Sequence, residues 1–512
     1  MTRLVPWLAA ALLAAGGALA ADLPPPLVSA VPVTASQVAA AVAKVDGLVA
    51  DVMQRTGVPG MAVAVVVDGK VALAKGYGVR LAGHPDPVDA DTVFQLASVS
   101  KSLSSTLVAR LVGEGRLGWD TPMRELLPGF ALSGAEATAL VTVGDLFSHR
   151  SGLPGHAGDA LEDIGFDRAA VIERLHLLPL DGFRDHYAYT NFGLTAAAQA
   201  VADREGTAWE ELIRSELYAP LGMERTSSRF DDFMARENRA VPHMREGDGW
   251  VAKEQRDPDA QSPAGGASSS VNDMAKWLAM LLADGSAAGT KLIESDALIA
   301  AVTPQAVSSP PIAFAARPGF YGFGIGVSIS PTGRMGFSHS GAFNLGAATT
   351  YYAIPSLGVG IVVLTNAQPV GAAETVSLGF VDLVERGELT RDWFVALAPL
   401  FAPLAEPIGG LAGQTPPSDP PPAGALDRYV GSYRNDYFGP AEVEATGDGL
   451  VLKVGPQGMS FPLRHWSGPD FAFVPRGETA PAGSLAQARF DLGAGTLTVD
   501  IWDENGLGTF RR

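Results

Sequence analysis

The chain reads as an α/β (α+β) protein: an antiparallel sheet flanked by helices and carrying a helical subdomain, followed by a small all-β barrel. Three observations predict this. Runs of β-branched residues occur near the amino end and again after about residue 320, with mostly helical spacing between them, so the helical block is an insertion into one sheet. A proline- and glycine-rich stretch then sets residues 425–512 apart. Beyond it, short alternating apolar runs are cut by turn signals, the pattern of a small antiparallel barrel or sandwich. At 512 residues, 47% of them hydrophobic and 18% charged, the chain is long enough for two or three domains with large cores.

Residues 1–20 carry Arg3, an apolar run holding Leu8 to Leu13, and Ala18-Leu19-Ala20 at a small-residue cleavage position. This is the pattern of a secretory signal. A membrane anchor is the alternative, disfavoured because the run is short and broken by Pro6, Gly16 and Gly17. The expectation is an exported protein, periplasmic or extracellular, with no membrane span after cleavage. Residues 21–35, with Pro24-Pro25-Pro26, form a mobile lead-in, and 36–400 the large domain. Val38, Val42, Val45, Val49 and Val52 give residues 36–55 one helical face, which Thr56-Gly57-Val58-Pro59-Gly60 ends. Met61 to Val67 and a second run from Val71 flank Asp68-Gly69, a strong hairpin signal.

Val99, Leu103, Leu107 and Leu111 then space a helix. From about 119 to 300 helices alternate with loops such as Pro263-Ala264-Gly265-Gly266, which leads into a helix over 273–282. Strand character returns at 325–329, 347–353 and 359–364, and a helix over 371–386 follows. Residues 401–424, around Pro416-Pro417 and Pro420-Pro421-Pro422, read as a stiff, extended linker. Strands at 442–444, 450–454, 471–474 and 496–502, with Gly447-Asp448-Gly449 as one of the turns, make up the unit at 425–512.

Composition narrows the chemistry. A net charge of −18 argues against nucleic acid or an anionic membrane surface as a partner. With no cysteine, disulfides, thiolate metal sites and a cysteine lipid anchor are excluded. The eight histidines form no His-Glu-x-x-His motif or carboxylate cluster, so no metal and no other cofactor is expected.

Nucleophilic chemistry is suggested by Ser98-Val99-Ser100-Lys101 at the start of a helix. Residues three apart share a helix face, so the Ser98 hydroxyl and the Lys101 amine can meet. Lysine can take the serine proton only if burial or positive potential lowers its pKa from about 10.4. Ser100 has Leu103 at the same offset and is no competitor. Tyr189-Thr190-Asn191 offers a phenol for proton transfer and an amide to bind a substrate carbonyl or hold the lysine. His339-Ser340-Gly341-Ala342 follows: Gly341 permits close backbone approach, and the amides of Ser98 and Ala342 could pair as an oxyanion hole. Each of the two has a bland alternative, an aromatic turn for Tyr189 and an ordinary edge-strand histidine for His339. His149 and Ser151, in the segment Asp145 to Pro154, are assigned to structure. Gly336-Phe337-Ser338-His339-Ser340 begins like a nucleophile elbow, but its fifth residue is serine and no strand–elbow–helix pattern surrounds it.

Taken in order, Phe94 to Lys101, Leu146 to Pro154, Tyr189 to Gly193, Leu221-Gly222-Met223, Pro263 to Gly266 and His339 to Gly341 resemble the serine β-lactamase and penicillin-binding-protein family, in its class C-like branch with esterases and D-aminopeptidases. The resemblance implies Ser98 as the acylated nucleophile, Lys101 as its base, Tyr189 as proton relay and the Ser98 and Ala342 amides as the oxyanion hole. Asn191, His339, Ser340 and Gly341 are implied to bind substrate. Tyr429-Val430-Gly431-Ser432-Tyr433 resembles the start of a lipocalin-like accessory domain. One departure stands out: β-lactamases and cell-wall carboxypeptidases of the family have Lys-Thr-Gly where this chain has His339-Ser340-Gly341. The expectation is therefore an exported serine hydrolase of small esters, amides or short peptides. A class C-like β-lactamase or D-Ala-D-Ala carboxypeptidase is the alternative, and a non-catalytic penicillin- or peptidoglycan-binding module a second. Nothing in the sequence sets the oligomeric state.

Overall fold

The Asp68-Gly69 hairpin organises the amino end. Asp68 and Gly69 both take positive φ (49° and 72°), the geometry that matches strand twist in a two-residue turn. They join β1 (Gly60–Val67) to β2 (Lys70–Gly78). The computed structural model describes residues 29–447 and 449–512; the predicted signal at 1–20, most of the lead-in and Asp448 lie outside them. The remaining strands of the large sheet come late: β3 (Ala306–Ser309), β4 (Gly319–Tyr321), β5 (Gly326–Ile329), β6 (Met335–Phe343), β7 (Ala347–Ile354) and β8 (Val359–Thr365). Their order, β2-β1-β8-β7-β6-β5-β4-β3, seats the first hairpin beside the last strand. The sheet is antiparallel, and the helical block is inserted between β2 and β3, as the sequence predicts.

Strand periodicity assigns the two faces. Met61, Val63 and Val65 of β1 join one core with α1 (Ala35–Ala43), α2 (Val45–Thr56) and α6 (Ala372–Arg386). Ala62, Ala64 and Val66 point to the other core, with α3 (Ser100–Gly113), α4 (Asn191–Arg204) and α5 (Val271–Leu282). The single helix expected over 36–55 is divided at Lys44, whose amide donates to Ala41. The break lets Val38 and Ala41 bury in the same core as Val45, Val49 and Val52. Helix α3 is buried nearly all round, its hydroxyls included. A helix so enclosed can hold a side chain away from water.

Residues 401–424 are not a free spacer. After the helix Trp393–Phe401 the chain lies along the barrel: Ile408 donates to Ser484 Oγ at 3.0 Å, Gly468 donates to the Pro421 carbonyl at 2.8 Å, and Leu411 packs on Trp466. The carboxy-terminal unit is a nearly closed eight-stranded barrel: β9 (Gly431–Tyr433), β10 (Ala441–Thr446), β11 (Gly449–Val454), β12 (Met459–Ser467), β13 (Asp470–Phe473), β14 (Ala486–Asp491), β15 (Thr496–Val499) and β16 (Thr509–Arg511). Each strand pairs with the next, and a bridge between Arg434 and Arg511 joins the ends. Tyr429, Phe471 and Phe490 meet edge to face inside it. The barrel docks on residues 155–166. A Cβ on Gly455 would stand 1.9 Å from the Ile164 carbonyl, so the close approach there requires glycine.

Candidate active site

Ser98 lies in a 3-10 turn, Ala97–Val99, that runs into α3. Ala97 takes φ 46°, an unfavourable conformation for a residue with a side chain and a local store of strain. Ser98 is half-buried while its neighbours are buried, so it is the accessible residue of the turn. Ser100 is structural: its Oγ donates to the Ala97 carbonyl at 2.6 Å and accepts from Ala267 N at 3.0 Å.

Lys101 is fully buried and its Nζ has three polar neighbours: Ser98 Oγ at 3.0 Å, Asn191 Oδ1 at 2.7 Å and the Ala264 carbonyl at 2.9 Å. Asp159 fixes the Asn191 amide, because its carboxylate accepts the Nδ2 hydrogen at 3.0 Å and turns Oδ1 to the lysine. A neutral amine has two hydrogens and one lone pair. The two carbonyl oxygens take the hydrogens, and the lone pair is left for the Ser98 O–H. Burial, opposed by the Asp159 charge and assisted by the Arg256 charge, lowers the Lys101 pKa to about 7. A neutral amine is then accessible near physiological pH.

The Tyr189 hydroxyl donates to Ser98 Oγ at 2.8 Å, and its ring lies 4.6 Å from Lys101 Nζ. Burial holds its pKa well above the usual phenol value, so it is a neutral phenol. Behind it, His149 is buried, accepts the Thr190 amide on Nδ1 at 3.2 Å and sits 4.5 Å from the Tyr189 ring. Burial keeps His149 neutral. Its place is that of a brace, in line with the structural assignment from sequence.

His339, Ser340, Gly341 and Ala342 lie within β6, not between strands. β5 pairs with β6 only as far as Ser338. Beyond that point Gly341 lies against the Ser98 turn: a Cβ on it would stand 2.1 Å from the Leu96 carbonyl and 3.0 Å from Ser98 N. Thr349 of β7 donates to the same Leu96 carbonyl at 2.6 Å and ties the turn to the sheet. Ala342 is exposed on this stretch, and Ser340 is exposed on the alternate residues of the strand. His339 is engaged on both ring nitrogens. Nδ1 donates to the Ser340 carbonyl at 2.6 Å, and Nε2 accepts from the Tyr321 hydroxyl at 2.7 Å. Burial and the Lys101 charge lower its pKa to about 3. It therefore brings no positive charge.

Ser98, Lys101, Tyr189 and Asn191 thus share one hydrogen-bonded cluster, with the Gly341 backbone beside it. The sequence did not single out Asp159 or Arg256, and held Ala264 only within a quoted loop. Asp159 is 32 residues from its partner Asn191, and no local spacing ties the two.

The beta-lactamase family matches residues 45–383, and a domain of unknown function, DUF3471, matches residues 415–501. The chain is 32% identical over 374 residues to penicillin-binding protein 4 of Amycolatopsis lactamdurans, covering 70% of this chain and 92% of that protein. It is 27% identical over 425 residues to an unguisins hydrolase of Aspergillus campestris, covering 78% and 76%. In fold it is similar to the octameric penicillin-binding protein homologue from Pyrococcus abyssi, with a TM-score of 0.61, 20% identity, and coverage of 90% of this chain and 98% of that one. A class C beta lactamase from Rhodobacter sphaeroides aligns with a TM-score of 0.53 and 21% identity, over 67% of this chain and 98% of that chain. With its sheet, its inserted helices and a match that spans most of the large domain, this chain belongs to the beta-lactamase family and is a serine hydrolase.

Proposed function

We propose that the protein is an exported hydrolase that forms an acyl-enzyme on Ser98 and acts on esters or amides that lack a free carboxylate beside the scissile bond. The observation that carries this reading is the Lys101 environment: two carbonyl acceptors, one hydroxyl, and a pKa of about 7. The Ser98 proton passes to Lys101 Nζ as Oγ attacks the substrate carbonyl. The tetrahedral oxyanion accepts from the Ser98 and Ala342 amides. Tyr189, a neutral phenol, donates its proton to the leaving group and is reprotonated from Lys101. Water then attacks the acyl-enzyme by the reverse path, with departure of the Ser98 hydroxyl. Asn191 orients the lysine and the substrate carbonyl, and Ser340 and Gly341 line the strand along which substrate lies.

The neutral, doubly bonded His339 supports the choice of substrate. A lysine there would offer a fixed charge to the carboxylate of penicillins or D-Ala-D-Ala peptides; this histidine offers none. The alternative, a beta-lactamase or carboxypeptidase, takes its support from the 32% identity to a penicillin-binding protein. Export rests on residues 1–20, and a secreted product beginning at Ala21 would mark the cleavage.

A fluorophosphonate probe followed by intact-mass spectrometry tests the nucleophile, and turnover of p-nitrophenyl esters, D-amino-acid amides and nitrocefin tests the substrate. One adduct on Ser98 and esters or amides well ahead of nitrocefin is the expected result. Nitrocefin faster than any ester or amide would establish the beta-lactamase reading instead, and a wild-type chain that takes no probe would leave a binding module.

A further inference from the structure

The loop between β13 and β14 of the barrel reaches into the large domain. Gly477 passes so close to Asp163 that a Cβ would stand 2.6 Å from its Oδ1, and Asp163 accepts the amides of Glu478 and Thr479 at 3.1 Å each. This fixes Glu478. Its carboxylate accepts from the consecutive amides of Asn344 and Leu345, the latter at 3.3 Å, and lies 3.4 Å from Arg256 Nη1. The Arg256 and Glu478 side chains are only 10% and 13% exposed.

Asn344 and Leu345 form the turn between β6 and β7, directly after Ala342 and Phe343. The Arg256 guanidinium lies 4.6 Å over the Phe343 ring, and Phe343 packs with Ala97, the residue before Ser98. One barrel carboxylate thus holds both the end of the strand beside the nucleophile and the cation that clamps it.

We propose that Glu478 is a positioning residue for the Ser98 site, so that the barrel completes the catalytic frame across the domain boundary. This rests on the proposed function. A buried charge pair is poor evidence of a gain in stability, but it fixes geometry, and a shift of about 1 Å near reacting atoms costs about 10²-fold in rate. Arg256 faces Glu162, Asp163 and Asp159 as well as Glu478. Lys101 in turn faces Asp159 and Arg256, together with the neutral His149, His339 and Tyr189. Glu162, at 2.6 Å from Arg256, keeps the guanidinium paired when Glu478 is lost, so the clear casualty is the turn.

The test is steady-state hydrolysis of p-nitrophenyl acetate by the full chain carrying Glu478→Ala, Glu478→Gln or Arg489→Ala, each with a melting curve. Arg489 pairs with Asp470 on the barrel surface and is the control. Glu478→Ala is expected to lower kcat at least about tenfold with KM within about twofold, the sign of an interaction that matters in the transition state. Glu478→Gln, which keeps one acceptor for the turn, should lose about threefold, and Arg489→Ala nothing. If Glu478→Ala does not fold, Glu478→Gln decides. Unchanged kcat in the variant that decides, or a rise in KM alone, overturns the proposal. Probe labelling of the wild type separates the two failures: an unlabelled Ser98 sinks the proposed function, whereas a labelled wild type with indifferent Glu478 variants sinks only this inference.

Discussion

Two eight-stranded antiparallel sheets stand side by side in this molecule, and they bury their backbones differently. The barrel curls until Arg434 pairs with Arg511, so its strand edges are used up on one another. Its interior is filled by aromatic rings, and its polar contacts with the large domain come from loops. The sheet of the large domain stays open, and pairing on one side of β6 stops at Ser338. A stretch of strand that β5 no longer pairs then lies against the turn that holds Ser98. The proposed chemistry gathers where the ladder is interrupted and a buried helix begins, and on the same proposal the closed sheet supplies support.

Five substitutions break or sharpen this contrast. Ser98→Ala should abolish probe labelling and lower the rate by on the order of 10⁶, with an unaltered fold; an adduct that persists on Ser338 or Ser340 would move the nucleophile to β6. Lys101→Arg should lose about 10³-fold, because a guanidinium cannot give up a proton. In the wild type, kcat/KM should fall as pH drops below about 7, since protonation of Lys101 removes the base. A flat profile between pH 8 and 5 would count against that role.

Gly341→Ala places a methyl 2.1 Å from the Leu96 carbonyl, and should cost about 10²-fold in kcat by pushing strand and turn apart. Leu452→Ala in the barrel core, fully buried in the native state, gives the opposite signature: about 2–5 kcal/mol of stability in denaturant titration, with kcat unchanged while the barrel remains folded. The smallest effect is expected from His339→Lys. It adds a cation at the open edge, and should raise nitrocefin turnover by roughly tenfold through a charge-assisted contact, leaving uncharged esters as they were. A uniform loss on both substrates would mean that the Tyr321 contact matters more than charge.

Much of the fold was legible because it is local. Asp68-Gly69 is a turn by its own torsions, the valines of residues 38–52 mark helix faces, and alternation in residues 450–454 places the barrel strand. The break at Lys44 escaped, because only burial of both valine stripes against one sheet demands it. Residues 401–424 read as a spacer by composition, yet Ser484, Gly468 and Trp466 hold them to the barrel.

The sequence by itself determined which groups could be joined: a serine and a lysine one helical turn apart, and Tyr-x-Asn and His-x-Gly segments further along. The spacing puts Lys101 one turn from Ser98, where the two side chains meet at 3.0 Å. Only the tertiary structure decided their states. Lys101 is poised near neutrality because the fold encloses α3 and brings Arg256 near, against the opposing charge of Asp159, and His339 is neutral because burial and the Lys101 charge make it so. Those partners lie tens to hundreds of residues away in the chain. Desolvation and Coulomb interactions depend on distance in space, and spacing along the sequence carries no record of that distance.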